Sequence, residues 1–296
     1  MSAARSHIPR QAAGIACVAL AVCALAAGGC GGSARNGAMP RKASPGTPSR
    51  LPSDAARAAL TRSGTSPRAR EDAAIDRVLA RDKFIVAGGR QRREIALTFD
   101  DGPSIYTPRL MAVLRHFHAP ATFFEIGQQI PRRAATTRSQ SAAGYWIGDH
   151  TETHADLAAL RAGAQREQIV APGQQLGRVG VGFPRLFRPP YGAFNRTTLA
   201  LLHQLRMLAV LWTIDTNDWR RPGVKAILRA AIGGAQPGAI ILMHDGGGER
   251  SQTIAALPRI IRALRRRGYK LVSIPRLLLE DPPPHAPRRF FGLSGG

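Results

Sequence analysis

Glu94-Ile95-Ala96-Leu97-Thr98-Phe99-Asp100-Asp101-Gly102-Pro103 is the stretch from which the rest of the chain can be read. An apolar, strand-like run over 94–99 ends on two adjacent carboxylates and a Gly-Pro turn. Working outward, further apolar runs lie at 121–126, 145–148, 185–188, 207–214, 239–243 and 270–274. Helical patterns intervene at 107–117, 195–206, 222–232 and 252–267, whereas 130–144 and 157–180 are less regular. Strand–helix alternation of this kind argues for an α/β architecture with a parallel sheet. About seven strands suit an open or incomplete (β/α) barrel.

The unusual polar residues fall at the C-terminal ends of these runs. His150 follows the third run, Arg188-Pro189-Pro190-Tyr191-Gly192 the fourth, Asp215 to Trp219 the fifth and His244-Asp245 the sixth. In α/β barrels that face carries the active site, so the pattern argues for an enzyme. Asp101, His150 and His154 offer three oxygen and nitrogen ligands to one metal ion, leaving coordination positions open. The two histidines share a face if their segment is helical, and can converge equally from a tight loop. The segment is not a zincin motif, because no Glu directly follows the first His. Two histidines and one carboxylate also suit oxygen-activating iron, but a spare Asp and a third His favour hydrolysis.

That spare carboxylate, Asp100, is the candidate base, and His244 the candidate acid. Asp218 is placed to orient the imidazole, although Asp at strand ends also serves simply to form turns. Pro189 and Pro190 have no backbone N–H, so Tyr191 carries the first free donor on a rigid turn and is a candidate oxyanion-hole group. Trp219 and Leu242 are candidates for a small apolar pocket, sized for an acetyl methyl. Gly246-Gly247-Gly248 lacks the Lys and Ser/Thr of a phosphate loop and reads as a flexible turn.

Composition narrows the setting. Lys and Arg number 42 against 19 Asp and Glu, a formal net charge of +23. No basic stripe interleaved with aromatics appears, so nucleic acid is not the expected partner, and attraction to an anionic envelope polymer is. No protein partner is evident. Cys17, Cys23 and Cys30 all lie near the N-terminus, which leaves the body of the chain without thiolate ligands. Residues 1–29 have the parts of a lipoprotein-type signal peptide, with Ala27-Gly28-Gly29 before a lipidated Cys30. Residues 30–90 read as a tether too poor in large apolar residues to bury a core, though 71–83 can form a short helix. A catalytic domain is expected over 91–281 and a loose tail over 282–296.

Five segments together resemble the polysaccharide deacetylases, the NodB-homology domain of carbohydrate esterase family four. They are Thr98-Phe99-Asp100-Asp101-Gly102-Pro103, His150-Thr151-Glu152-Thr153-His154, Arg188-Pro189-Pro190-Tyr191-Gly192, Asp215-Thr216-Asn217-Asp218-Trp219 and Ile241-Leu242-Met243-His244-Asp245. The resemblance implies a distorted (β/α) barrel of fewer than eight strands and metal-dependent removal of acetyl groups from glycans. By motif position, Asp100 is the base, oriented by Arg188, and Asp101, His150 and His154 bind zinc, or cobalt in its place. His244, tuned by Asp218, is the acid. The Tyr191 amide helps hold the oxyanion, and Trp219 and Leu242 shape the acetate pocket. Tyr145-Trp146 stands where polar residues are common and is expected to alter the groove. The expected substrate is N-acetylglucosamine of peptidoglycan, met by an exported enzyme held at the outer face of the membrane as a lipoprotein, or secreted. Chitin oligomers, acetylxylan and a non-catalytic glycan-binding lipoprotein remain as alternatives.

Overall fold

A computed structural model describes residues 66–284. Its strands are β1 (Phe84–Ile85), β2 (Glu94–Gly102), β3 (Thr122–Glu125), β4 (Trp146–Asp149), β5 (Leu186–Phe187), β6 (Leu208–Val210), β7 (Ile214–Asp215), β8 (Ile240–His244) and β9 (Lys270–Val272). The helices are α1 (Pro67–Leu79), α2 (Thr107–His116), α3 (Ala134–Ala142), α4 (Ala162–Arg178), α5 (Arg196–Gln204), α6 (Val224–Gly233), α7 (Ser251–Arg266) and α8 (Ile274–Glu280).

The strands run across one sheet in the order β1-β6-β5-β4-β3-β2-β8-β7, with β9 also on β2. Every strand pairing is parallel. Chain geometry makes this sheet curl. β6 and β7 lie six places apart in the strand order, yet only residues 211–213 join them. Flat, six inter-strand spacings would need about 29 Å, whereas the chain from Val210 to Ile214 reaches about 14 Å. The result is an incomplete barrel with helices around it.

Strand alternation sorts the core. Ile95, Leu97, Phe99, Phe123 and Ile241 pack outward against α2, α6 and α7. Ala96, Phe124, Leu186, Val210 and Ile240 belong to a second cluster, which continues under α1 and α8 through Ile75 and Leu277.

The apolar runs all become strands, with two differences. The run 207–214 divides into β6 and β7 where the chain crosses the barrel opening. β1 comes from the segment expected to be tether, as does α1, which begins at Pro67 rather than at 71 and packs on α8. The folded body therefore starts well before residue 91, because Ala74, Ile75, Val78 and Leu79 give α1 one buried face. The irregular stretches hold α3 and α4. The segment expected to be a signal peptide, the three cysteines and residues 285–296 lie outside the described residues.

Candidate active site

A bulge in β2 decides where the paired carboxylates point. Alternation puts Thr98 and Asp100 on the interior face and would send Asp101 outward with Phe99. The register of β2 against β3 shifts between Asp100 and Gly102, and Asp101 has a left-handed φ of 72°. Such a bulge re-aims one side chain. Both carboxylates consequently face His150, with Asp100 Oδ2 3.7 Å and Asp101 Oδ1 3.5 Å from its Nε2. The glycine turn after β8 presses on this bend. A Cβ on Gly246 would sit 1.9 Å from the Asp101 carbonyl oxygen, and one on Gly247 2.2 Å from Asp101 Oδ2. Gly246 and Gly247 are thus a fitted wall rather than a merely flexible turn.

His150 and His154 converge from a loop, not a helix, with left-handed φ at Thr151 (65°) and His154 (60°). Asp149 Oδ1 holds that loop by accepting the Thr151 N–H at 2.7 Å. His150 Nδ1 lies 2.7 Å from the Arg188 carbonyl oxygen. A carbonyl only accepts, so Nδ1 carries the proton and Nε2 presents a bare lone pair. His154 Nε2 is 3.3 Å from Asp101 Oδ1. That oxygen is buried and has no hydrogen-bond partner among the described residues. Acceptors aimed at one another in this way call for a cation between them, so Asp101, His150 and His154 fit a divalent metal ion. Burial lowers the pKa of His154 and favours the neutral, ligating imidazole. Burial opposes the charge on Asp101, but neighbouring imidazoles, His150 first, hold it below the usual carboxylate range whenever they are protonated.

Asp100 is held from behind. Its Oδ1 accepts from Arg188 Nη1 at 2.8 Å. Arg188 is fully buried and also donates to Thr98 Oγ1 (2.7 Å) and to the carbonyls of Val210 (3.0 Å) and Leu211 (3.2 Å). The guanidinium lies 4.2 Å over the Phe124 ring. With four acceptors and a ring face, it has one orientation available.

Asp100 and His244 are register partners on β2 and β8, so they stand side by side on the rim. His244 Nδ1 is 2.7 Å from Asp218 Oδ1, while Asp218 Oδ2 accepts the His244 N–H (2.9 Å) and Thr253 Oγ1 (2.7 Å). Burial disfavours a charged His244. The hydrogen bond and charge of Asp218, helped by Asp100 and Asp101, outweigh it and raise the pKa. Asp215 shapes the turn that delivers Asp218, its Oδ1 accepting the Asn217 N–H at 2.7 Å. Tyr191 has a φ of 60°. The backbone bonds of its turn run from Gly192 to Pro189 and from Ala193 to Pro190, and the Tyr191 N–H makes none among the described residues. Its hydroxyl lies 3.1 Å from His154 Nδ1. Trp219 and Leu242 line the same cleft, of about 400 Å³, as the carboxylates and histidines.

A family model described as polysaccharide deacetylase matches residues 87–210. A peptidoglycan-N-acetylglucosamine deacetylase of Bacillus cereus is 38% identical over 187 residues, covering 62% of this chain and 87% of that protein. The chain belongs to the polysaccharide deacetylase family. A chitooligosaccharide deacetylase of Bradyrhizobium sp. is 36% identical over 198 residues, covering 62% of this chain and 90% of that one. Among solved structures, a peptidoglycan N-acetylglucosamine deacetylase in complex with 4-naphthalen-1-yl-N-oxidanyl-benzamide aligns with a TM-score of 0.65 at 31% identity, over 66% of this chain and 92% of that one.

The parallel, incomplete barrel is thus the fold of this deacetylase, and the chain is an enzyme of that class. Two readings of its cleft change. Tyr145 and Trp146 do not shape the groove: both are buried, Tyr145 against Phe123 and Trp146 beneath Arg68 with its Nε1 donating to Glu71. Arg250 and Trp212 do line the cleft and were not among the expected residues. Only an arginine closing the glycine turn could have signalled the first, and the second lies inside an apolar run that hid it.

Proposed function

We propose that this deacetylase removes the N-acetyl group from N-acetylglucosamine residues of peptidoglycan, using zinc held by Asp101, His150 and His154, with cobalt able to replace it. The observation that carries the reading is the division of the carboxylate pair: Asp101 turns to the Nε2 atoms of the two imidazoles, while Asp100 turns to Arg188 and stands in register with His244. The ion would polarise the acetamide oxygen and lower the pKa of a water toward ~7. Asp100, fixed by Arg188, takes the proton of the attacking water. The Tyr191 N–H donates to the carbonyl oxygen as it gains charge, and one such donor is worth roughly 3–4 kcal/mol. His244, kept protonated by Asp218, delivers a proton to the departing amine. The acetyl methyl rests against Trp219 and Leu242.

Related enzymes are named for both peptidoglycan and chitooligosaccharides. Peptidoglycan is favoured here because a net charge of +23 suits an anionic wall polymer. The N-terminal pattern also supports export, with cleavage before Cys30 and lipidation there holding the enzyme at the outer face of the membrane. The test is acetate release from peptidoglycan, chitin oligomers and acetylxylan, after chelation and again after zinc or cobalt is restored. Release from peptidoglycan that chelation abolishes is expected, and no release from any of the three overturns the proposal. For the anchor, Cys30→Ala should free the protein from the membrane fraction or block its processing. Unchanged partitioning and processing would contradict lipidation.

A further inference from the structure

Arg250 is the charged group in the cleft that the deacetylation chemistry leaves unused. It lines the same cleft as His244 and Trp219 and is only 3% exposed. Two guanidinium nitrogens serve its own loop: Nε donates to the Gly246 carbonyl at 2.6 Å and Nη1 to the Glu249 carbonyl at 2.8 Å. Nη2 makes no hydrogen bond among the described residues. No carboxylate there forms an ion pair with Arg250, and Glu249 spends its carboxylate on the Ser251 N–H at 2.7 Å.

A guanidinium taken out of water needs an anion to offset its lost hydration. Arg188, fully buried, has Asp100 at 2.8 Å. Arg250 has the same need and no carboxylate in ion-pair contact among the described residues. The Glu249 carboxylate feels its charge through space without pairing with it, and other neighbours add positive potential. Arg250 stands at the N-terminal end of the 16-residue helix α7, whose dipole favours an anion on that side. Arg220 lies 4.6 Å over the exposed Trp219 ring, and the exposed Arg221 follows it. A guanidinium with a donor to spare is matched best by a carboxylate.

We propose that Arg250 receives a carboxylate of the substrate, so that the enzyme selects an anionic glycan in which the acetamido sugar neighbours a carboxylate-bearing one. The inference rests on the deacetylase reading of the same cleft and adds a selection to it. Neutral N-acetylglucosamine oligomers offer nothing to the guanidinium and bury its charge uncompensated. In peptidoglycan both the lactyl group of muramic acid and a stem peptide supply carboxylates, and the test has an arm for each.

The experiment is equilibrium binding by calorimetry on the full zinc-loaded chain carrying Asp100→Asn to stop turnover. The ligands are the N-acetylglucosamine–N-acetylmuramic acid disaccharide with a free lactyl carboxylate, the same disaccharide bearing a stem dipeptide, and the same with the lactyl carboxyl reduced to an alcohol. At least one carboxylate form should bind about tenfold or more tightly than the alcohol, and the tighter of the two identifies the source. Adding Arg250→Met should bring that preference close to one, while Arg250→Lys keeps part of it. Equal binding of all three ligands overturns the proposal, whether or not the Met variant folds. So does a preference that survives Arg250→Met, or an equal loss of all three ligands in both variants with the fold intact by circular dichroism, which would make Arg250 a staple of its loop. Acetate release is followed in parallel on the chain with Asp100 intact. Its absence sinks the deacetylase reading without altering the binding ratio, so the two failures are distinguishable.

Discussion

Asp100 and Asp101 are chemically identical neighbours, and their partners alone separate them. Asp100→Asn keeps the bond to Arg188 geometrically feasible but removes the base. Acetate release should fall by about 10²–10⁴-fold, with metal content measured by atomic emission unchanged. His150→Ala should lose the metal. Equal metal loss in both variants would mean that the division is wrong. Asp218 is tested through pH. Its carboxylate raises the pKa of His244 against the effect of burial. The acid form of His244 exists below that pKa, so activity declines as pH rises through it. Asp218→Asn removes the charge that holds the pKa up, and the alkaline limb of kcat/KM should move to lower pH. A limb that stays in place would remove His244 from the role of acid. Residue types and spacing made this cast legible in the sequence, because each member ends a strand or follows one. The orientation of Asp101 was not legible, since alternation alone points it away from the site.

At the scale of elements, the site is assembled by irregularities in short segments. Of the eight non-glycine residues with positive φ among those described, Asp101, Thr151, His154, Tyr191 and Asn217 lie in or beside the cleft. That concentration is what a site held in shape by its surroundings shows. The glycine turn supplies part of the holding force, so Gly247→Ala is a test of it. The new methyl would start 2.2 Å from Asp101 Oδ2 at a φ of +68°, displacing a ligand without touching the histidines. Metal affinity should fall by about 10–100-fold while the circular dichroism spectrum is retained; affinity within error of the parent would show that the turn gives way instead. The strands were legible because parallel strands buried on both faces read as continuous apolar runs. α3 and α4 were not. α3 is built from small and polar residues, and α4 carries Pro172 inside it, so neither displays a strong helical period. Their place is set by packing on the sheet rather than by local preference.

For the molecule as a whole, the opening of the barrel is the weak point, and the N-terminal segment supports one side of it. β1 pairs with β6, and the Ile85 carbonyl accepts the Leu211 N–H at 2.8 Å. The Leu211 carbonyl in turn accepts from Arg188, which holds Asp100. α1 secures that arrangement from outside through Ile75, which is fully buried in the cluster shared with Leu277 and Leu278 on α8. If this segment is integral to the domain, Ile75→Ala should cost about 2–5 kcal/mol of global stability, the range for a large-to-small change in a core. Urea unfolding followed by tryptophan fluorescence measures it, as a lower midpoint with an unchanged slope. A detachable tether helix would behave differently, melting in its own step and leaving the main transition where it was. Because the substitution lies on the far side of Leu211 from the chemistry, the folded fraction at low temperature should still bind metal as the parent does. Loss of stability together with retained metal affinity would therefore make α1 a structural brace of the barrel, and a main transition that does not move would return it to the linker.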